Sequence, residues 1–259
     1  MSREEAWSKP HVLKHQIATR KVSLRWIDTR PRLIVAEPWL IKLILADQSG
    51  DIIKPPLNSL VNLLQLGVST LEGDQWAKRR RLVTPAFHLE KLTGMVPAFM
   101  TSCSGVINRW ESSIGVQGSY EIDVAPEFQN LGGDVIARTA FGSSFEEGKK
   151  ILELQKKQVA LVFEAYYSFY FPGLRFIPTK KNKMRYNLDN EIKTILRGMI
   201  SRKELTMENG EVGSNDLLGL LLQCKEQEQN GMTIEDVIEE CKLFYFDNQE
   251  TTAHWLTWL

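Results

Sequence analysis

The chain has 259 residues, 43% of them hydrophobic and 25% charged, which is typical of a globular protein able to bury a sizeable core. Lys plus Arg balances Asp plus Glu at 32 each, so the charge gives no argument for a nucleic-acid partner. The three cysteines are far apart and lack metal-binding spacing, which disfavours a zinc site or a disulfide scaffold and indicates reduced thiols.

The sequence pattern near the N-terminus predicts a small β-sheet. Residues 1–20 are polar and basic without a period, and they stay unassigned. Two β-rich runs at 22–26 and 32–36 flank turn-forming residues, which predicts a hairpin. Pro38 then begins a helix over 39–47, because a proline in the first turn loses no hydrogen bond.

No stretch of the sequence predicts a membrane anchor. The most apolar early run, residues 33–46, is interrupted by charges and is too short to span a bilayer. The charged N-terminus lacks the apolar core of a signal peptide. As written, the chain is therefore expected in the cytosol.

The rest of the chain is predicted to be mainly α-helical. Apolar residues recur at helical spacing in several segments. These segments are Gly73–Val83, Leu89–Ser113, 126–141, 146–167, 181–205 and 217–222. We also expect a short helix at 58–66, a strand at 120–124, a helix cap at Ser69 and Glu72, and close helix packing at Gly132 and Gly133.

Two features of these helices point to a site. Trp76 and Arg80 lie one turn apart on the same helix face, so they form either a cationic anchor for a carboxylate or phosphate or a surface Arg–Trp stack. An aromatic cluster over 163–171 either lines an apolar pocket or belongs to the core.

The last helix, predicted from Thr233 onward, organises the sequence. Thr233 and Asp236 have the spacing of a capping box, and the apolar residues that follow predict a buried helix. Six consecutive polar residues, 247–252, interrupt it before it turns apolar again at Trp255 and Trp258. Burying such groups unpaired costs about 2–7 kcal/mol each, so the block faces either a cavity, a cofactor or water, or the solvent.

The order of these parts, with four stretches, resembles the cytochrome P-450 family of haem-thiolate monooxygenases. The stretches are GDQWAKRRRLVTPAFH (73–88), DVIARTAFGSSFEEGKK (134–150), FPGLRFIPTKKN (171–182) and FYFDNQETTAHWLTW (244–258). They are similar to the family's C helix, E helix, F–G connection and oxygen-activating I helix. The plant clan suggested includes cytokinin, gibberellin and brassinosteroid hydroxylases. The implied fold is mainly α, with a small N-terminal β-sheet, and it is truncated after the I helix.

The resemblance implies roles for particular residues. Trp76 and Arg80 would bind a haem propionate, and Glu250 and Thr251 would form the acid–alcohol pair that delivers protons. Phe244, Phe246 and Asp247 would line the substrate pocket. No other metal site is expected. The implied partners are NADPH-cytochrome reductase and a small apolar substrate, at the cytosolic face of the endoplasmic reticulum.

Two departures from the family limit this expectation. Asp247 and Asn248 stand where the family has small residues that leave room beside the haem. The family's Glu-x-x-Arg helix and Cys loop are absent, and none of Cys103, Cys224 or Cys241 stands in a matching motif. Residues 21–259 are therefore expected to be the N-terminal part of a single catalytic domain, inactive alone. The alternatives are a non-enzymatic helical interaction protein, a pseudogene product or a soluble ligand-binding protein.

Overall fold

The structure is a computed structural model that describes residues 21–27, 30–47, 49–54, 60–64, 66–115, 118–142, 145–167, 176–209, 216–226 and 232–259. The unassigned N-terminal segment and most of the aromatic cluster lie outside the described residues. The chain divides into two compact units, residues 1–54 and 55–259.

The first unit confirms the predicted hairpin and the helix after it. Strands β1 (Val22–Ile27) and β2 (Arg30–Val35) are antiparallel, with Val22 opposite Val35 and Leu24 opposite Leu33. Helix α1 (Pro38–Leu45) begins with its proline in the first turn, as expected.

The second unit is helical throughout its regular structure, which confirms the predicted fold class. Short 3₁₀ turns span Val61–Leu63 and Thr84–Phe87. Its α-helices are α2 (Gly73–Val83), α3 (Leu89–Ser113), α4 (Val124–Phe141), α5 (Phe145–Tyr167), α6 (Lys180–Glu208), α7 (Leu217–Glu226) and α8 (Ile234–Trp258).

The core forms where α4, α5 and α8 pack closely. A Cβ at Gly133 would lie 2.0 Å from a methyl group of Leu152, and one at Gly148 would lie 2.6 Å from the Cβ of Ala137. The expected close packing at the glycine pair is therefore confirmed at Gly133. On α8, the Tyr245 ring stacks on Phe141 with centroids 4.4 Å apart. Small residues thus allow α4 and α5 to pack closely, and the Phe141–Tyr245 stack packs α8 against α4.

Helix α8 is buried along its first half, as predicted. Its capping box is present, with the Asp236 N–H donating to Thr233 Oγ1 and the Thr233 N–H donating to Asp236. Val237 and Ile238 are fully buried, and Cys241 is a core residue at 1% exposure. The second half differs from the expectation of a buried end, because Trp255 and Trp258 are 66% and 87% exposed.

The buried half of α8 also carries charges that its apolar pattern does not predict. Lys242 is fully buried, and its Nζ lies 2.6 Å from Asp189 on α6 and 3.1 Å from Glu239. Lys193 pairs with the same two carboxylates. The result is a cluster of two cations and two anions, in which each buried charge has an opposite partner.

Three local predictions differ in detail from the structure. Residues 120–123 form no strand, because the chain instead enters α4, where Asp123 caps the helix by accepting from the Ala125 N–H. Glu72 is the N-cap of α2 but makes no side-chain cap bond; the preceding turn is held by Thr70 donating to the carbonyl of Gly67. Of the short helix expected over 58–66, the structure describes residues 60–64 and 66, and the regular helical part among them is the 3₁₀ turn Val61–Leu63.

Candidate functional site

An open groove of about 460 Å³ lies along the C-terminal half of α2 and the turn after it. Its lining contains both predicted anchor residues. The lining residues are Trp76, Ala77, Arg80, Arg81, Thr84, Pro85 and His88. Sequence reasoning missed the other five, although the Thr84-Pro85 helix stop marks where the chain must turn beside Arg80.

The two anchor residues line the groove but do not stack on each other. Trp76 is 42% exposed, and the Arg80 side chain is also exposed. Within the described ranges the Arg80 guanidinium has no ion-pair or stacking partner. A guanidinium without a counter-charge beside an indole N–H can bind a carboxylate or phosphate oxygen. This geometry favours the anion anchor over the surface stack.

Local chemistry explains why α2 presents this face. Val83 is 1% exposed and anchors the C-terminal end of the helix in the core. The Arg80 carbonyl accepts from both the Thr84 backbone N–H and Thr84 Oγ1, the latter at 2.7 Å, and Pro85 prevents the helix from continuing. The helix therefore ends beside the groove.

The groove segment is joined to α8 by an aromatic contact. The ring of Phe87 stacks on Phe244 with centroids 5.7 Å apart. Of the residues expected to line the substrate pocket, Phe244 therefore lies beside the groove segment. Phe246 lies on the other side of α8, where it packs on a second apolar cluster formed by Leu60, Leu64, Val162 and Ala165. The structure does not bring these two phenylalanines together.

Phe244, Asp247 and Thr251 lie on one stripe of α8, because residues three and four apart share a helix face. Asp247 and Thr251 are exposed. Burial by neighbouring atoms still raises the pKa of the Asp247 carboxyl above its ordinary value. Thr251 Oγ1 donates to the Asp247 carbonyl at 2.8 Å, so its hydroxyl proton is occupied while its lone pairs are available. The Glu250 backbone is helical, but its side chain lies outside the described part of the chain.

The three cysteines are separated and none lines the groove. Cys103 is exposed on α3, Cys224 is half-buried on α7, and Cys241 is in the core. Burial raises the pKa of both the Cys224 and Cys241 thiols, which disfavours the thiolate that binds iron. The residues present at Trp76 and Arg80 therefore fit the carboxylate edge of a haem, and none of the three cysteines lies among the groove residues.

Two surveys of the described residues complete the description. Among them, no helix is long and apolar enough to cross a membrane. Within the same ranges, no group of three or more His, Cys, Asp or Glu side chains is arranged to hold a metal ion.

Comparison with known proteins places these features in context. The family model "Cytochrome P450" matches residues 4–259. The chain is 48% identical over 245 residues to cytochrome P450 CYP72A616 of Paris polyphylla, covering 92% of this chain and 47% of the relative. It is 42% identical over 263 residues to 7-deoxyloganic acid hydroxylase of Catharanthus roseus, covering 96% of this chain and 50% of that protein.

Solved structures share the same fold at lower identity. The crystal structure of cytochrome P450 CYP102L1 has a TM-score of 0.75 at 16% identity, covering 98% of this chain and 57% of that one. A zebra fish cytochrome P450 has a TM-score of 0.74 at 19% identity, covering 96% of this chain and 59% of that one. The chain spans about half the length of the curated relatives it matches.

Proposed function

This chain belongs to the cytochrome P450 family, as its sequence motifs suggested, and we propose that residues 21–259 form part of a single haem monooxygenase catalytic domain. The family implies haem as the cofactor, which activates O2 when bound. The proposed reaction inserts one atom of O2 into a C–H bond of a small apolar molecule of the hormone or terpenoid class. The other atom leaves as water, and NADPH supplies the two electrons through a flavoprotein reductase.

The observation that carries this proposal is the Arg80 guanidinium beside Trp76 in the α2 groove, which has no ion-pair partner in the part of the chain that the structure describes. Arg80 would hold a haem propionate with charge-assisted hydrogen bonds, and the Trp76 indole N–H would donate to the same carboxylate. The groove is open and faces solvent on one side, as an edge contact to a large flat ligand requires.

Helix α8 would contribute the proton path and one wall of the pocket. The Thr251 hydroxyl, whose proton is held by the Asp247 carbonyl, would accept a hydrogen bond on the site side. Glu250, one residue earlier, would take up protons from solvent and pass them toward the site. Phe244 would exclude water near the groove. Phe246 would line the substrate pocket from the other face of α8. Asp247 would add a partly desolvated carboxyl beside the substrate.

We propose that this chain alone is inactive. None of its three cysteines combines exposure toward the groove with a thiol that ionises readily. Without a thiolate ligand, O–O cleavage loses its electronic push. The proposed redox partner is a NADPH-cytochrome reductase, and the proposed location is the cytosolic face of the endoplasmic reticulum.

The test compares porphyrin binding by the purified 259-residue chain and by Arg80→Met. Ferric protoporphyrin IX is titrated against its dimethyl ester, which lacks both carboxylates. We expect the diacid to bind more tightly than the ester, and Arg80→Met to weaken only the diacid, by about tenfold or more. Arg197→Met, which removes an exposed Arg on α6, is the matched control.

Two results would overturn parts of the proposal. Equal affinity for diacid and ester, or no binding of either, would exclude Arg80 as a propionate anchor in this chain. A thiolate-type Soret band in the reduced-CO difference spectrum would refute the proposed inactivity.

A second candidate is a non-enzymatic helical interaction protein. It is favoured by a stripe of exposed apolar residues along α3 at helical spacing, namely Leu89, Leu92, Val96, Met100 and Ile107. A compact, monomeric, protease-resistant chain that binds no porphyrin would favour this candidate over the enzyme fragment.

A further inference from the structure

Arg79, the residue before the proposed propionate anchor, points about 100° away from Arg80 around the helix and is largely buried. Its side chain is 13% exposed, and its guanidinium contacts two carboxylates of α8. The distances are 2.8 Å to Asp236 and 3.2 Å to Glu240. Arg79 therefore links the groove helix to the central helix through two ion pairs.

The Glu240 end of this link is enclosed on all sides. The Glu240 side chain is fully buried, and the Val68 backbone N–H donates to it. A Cβ at Gly67 would lie 2.8 Å from the carboxyl carbon, and the φ of +108° at Gly67 also favours glycine. The backbone at 67–68 thus closes over the carboxylate because residue 67 has no side chain. Burial raises the pKa of Glu240, while Arg79 and Val68 oppose that rise.

The Asp236 end serves two purposes. Asp236 accepts from the Thr233 backbone N–H to complete the capping box, and it also accepts from Arg79. The pKa of Asp236 is lowered, despite partial burial, by hydrogen bonds from Thr233 and Arg79. The start of α8 and the middle of α2 are therefore held at one carboxylate.

The position of Arg79 fixes where its neighbour points. Consecutive residues of an α-helix are turned by about 100°, so a fixed Arg79 sets the direction of Arg80. Val83, one turn after Arg79, is buried on the same side, whereas Arg80 lines the groove. Phe87, stacked on Phe244, holds the far end of the segment. Rotation of α2 about its axis is therefore resisted at Arg79, in the middle of the helix, and at Phe87, in the turn that follows it.

We propose that Arg79 and Glu240 are positioning residues, which hold α2 in the rotation that presents Arg80 and Trp76 to an anionic ligand. The proposal rests on the proposed function only where it names a haem propionate as that ligand. The link between α2 and α8 is a property of this chain whether or not a porphyrin binds.

The test measures the link and its consequence separately in the 259-residue chain. Hydrogen exchange is followed at the amides of residues 76–84, with those of α4 as the internal reference. We expect Arg79→Met to speed exchange in 76–84 about tenfold more than in α4, and Arg79→Lys, which keeps the charge, to restore part of the protection. Arg197→Met breaks the exposed ion pair between Arg197 of α6 and Glu235 of α8. It should leave hydrogen exchange in residues 76–84 unchanged.

Porphyrin binding gives the second readout. We expect Arg79→Met to weaken ferric protoporphyrin IX by nearly the same factor as Arg80→Met, and the double variant to bind no more weakly than Arg80→Met. Such non-additivity indicates that Arg79 acts through Arg80. If Arg79→Met does not fold, Glu240→Gln provides the same comparison while keeping a hydrogen-bonding group at residue 240.

The failure outcomes are distinct. Unchanged exchange in 76–84, or an equal increase in all helices, would overturn the positioning role. Faster exchange confined to 76–84, with no effect of Arg80→Met on porphyrin affinity, would support the link and instead overturn the propionate contact of the proposed function.

Discussion

The Lys242 ammonium group lies 2.6 Å from the Asp189 carboxylate, with the lysine side chain 1% exposed and the aspartate 9%. This pair joins the central helix α8 to α6 inside the protein. Gln155 of α5 donates to the Lys242 carbonyl at 2.9 Å, so one residue connects three helices through polar contacts. Buried charges of this kind make the core depend on complete pairing.

Replacing Lys242 by Met should destabilise the chain by about 3 kcal/mol, because Asp189 and Glu239 then keep two buried carboxylates with Lys193 as their remaining cation. Urea unfolding followed by circular dichroism measures the loss. Lys150→Met is the control, since the Lys150–Glu191 pair is about half exposed and should contribute less than about 1 kcal/mol. Equal effects of the two substitutions would contradict the prediction.

Gly148→Ala should destabilise the chain by about 1–3 kcal/mol through overpacking. The new Cβ would lie 2.6 Å from the Cβ of Ala137, and neither atom can move without shifting a helix backbone. Gly94→Ala on α3 is the matched control, because open space surrounds it and alanine favours helix by up to about 1 kcal/mol. Opposite signs of the two changes in thermal midpoint are the expected outcome.

Asp247→Asn should stabilise the chain more at neutral pH than at acid pH. Partial burial raises the pKa of Asp247 in the folded state, so ionisation costs stability as the pH rises through that pKa. Below the ordinary pKa of 3.8 the Asp247 carboxyl is neutral in the folded and the unfolded state. The thermal midpoints of the wild type and the variant should then coincide. The difference in thermal midpoint between them, measured from pH 4 to pH 8, should grow above pH 4 and become constant above the folded-state pKa. A difference that stays constant over the whole range would exclude this cause.

Thiol labelling with Ellman's reagent should distinguish the three cysteines. Cys103 is exposed and should react first, whereas Cys224 is half-buried with a raised pKa and should react more slowly. Cys241, enclosed in the core, should react only after the protein unfolds. The Cys103→Ser variant identifies the fast phase; its persistence in that variant would contradict the assignment.

Helix positions were predictable wherever apolar spacing and end signals agreed. The bounds of α2 and α3 are those expected from the sequence, since a proline follows α2 and apolar residues recur along α3. The segment 120–124 was mistaken for a strand because its short run of Tyr, Ile and Val resembles one. No strand pairs with it among the described residues, and Asp123 provides a helix cap instead.

The candidate site was predictable only in part. The Trp76–Arg80 spacing identified the groove, because two residues four apart must share a helix face. Arg79 and Glu240 were missed as a pair, since they lie 161 residues apart in the chain. A charge at Glu240, among the apolar positions Val237, Ile238 and Cys241, was the available signal, because a buried carboxylate requires a partner.

The polar block of α8, residues 247–252, also has some properties that the local sequence determines and others that depend on tertiary packing. By itself the sequence determined that this segment is a capped helix, apolar in its first half, with polar residues over 247–252, because these properties depend on neighbours within a few residues. Only the tertiary structure decided which sides are covered: Phe246 packs on α5, while Asp247 and Thr251 face outward. It also decided that Arg79 pairs with carboxylates of α8, whereas Arg80 lines the groove without an ion-pair partner among the described residues. Ion pairing depends on distances between helices, and packing fixes those distances where local spacing cannot.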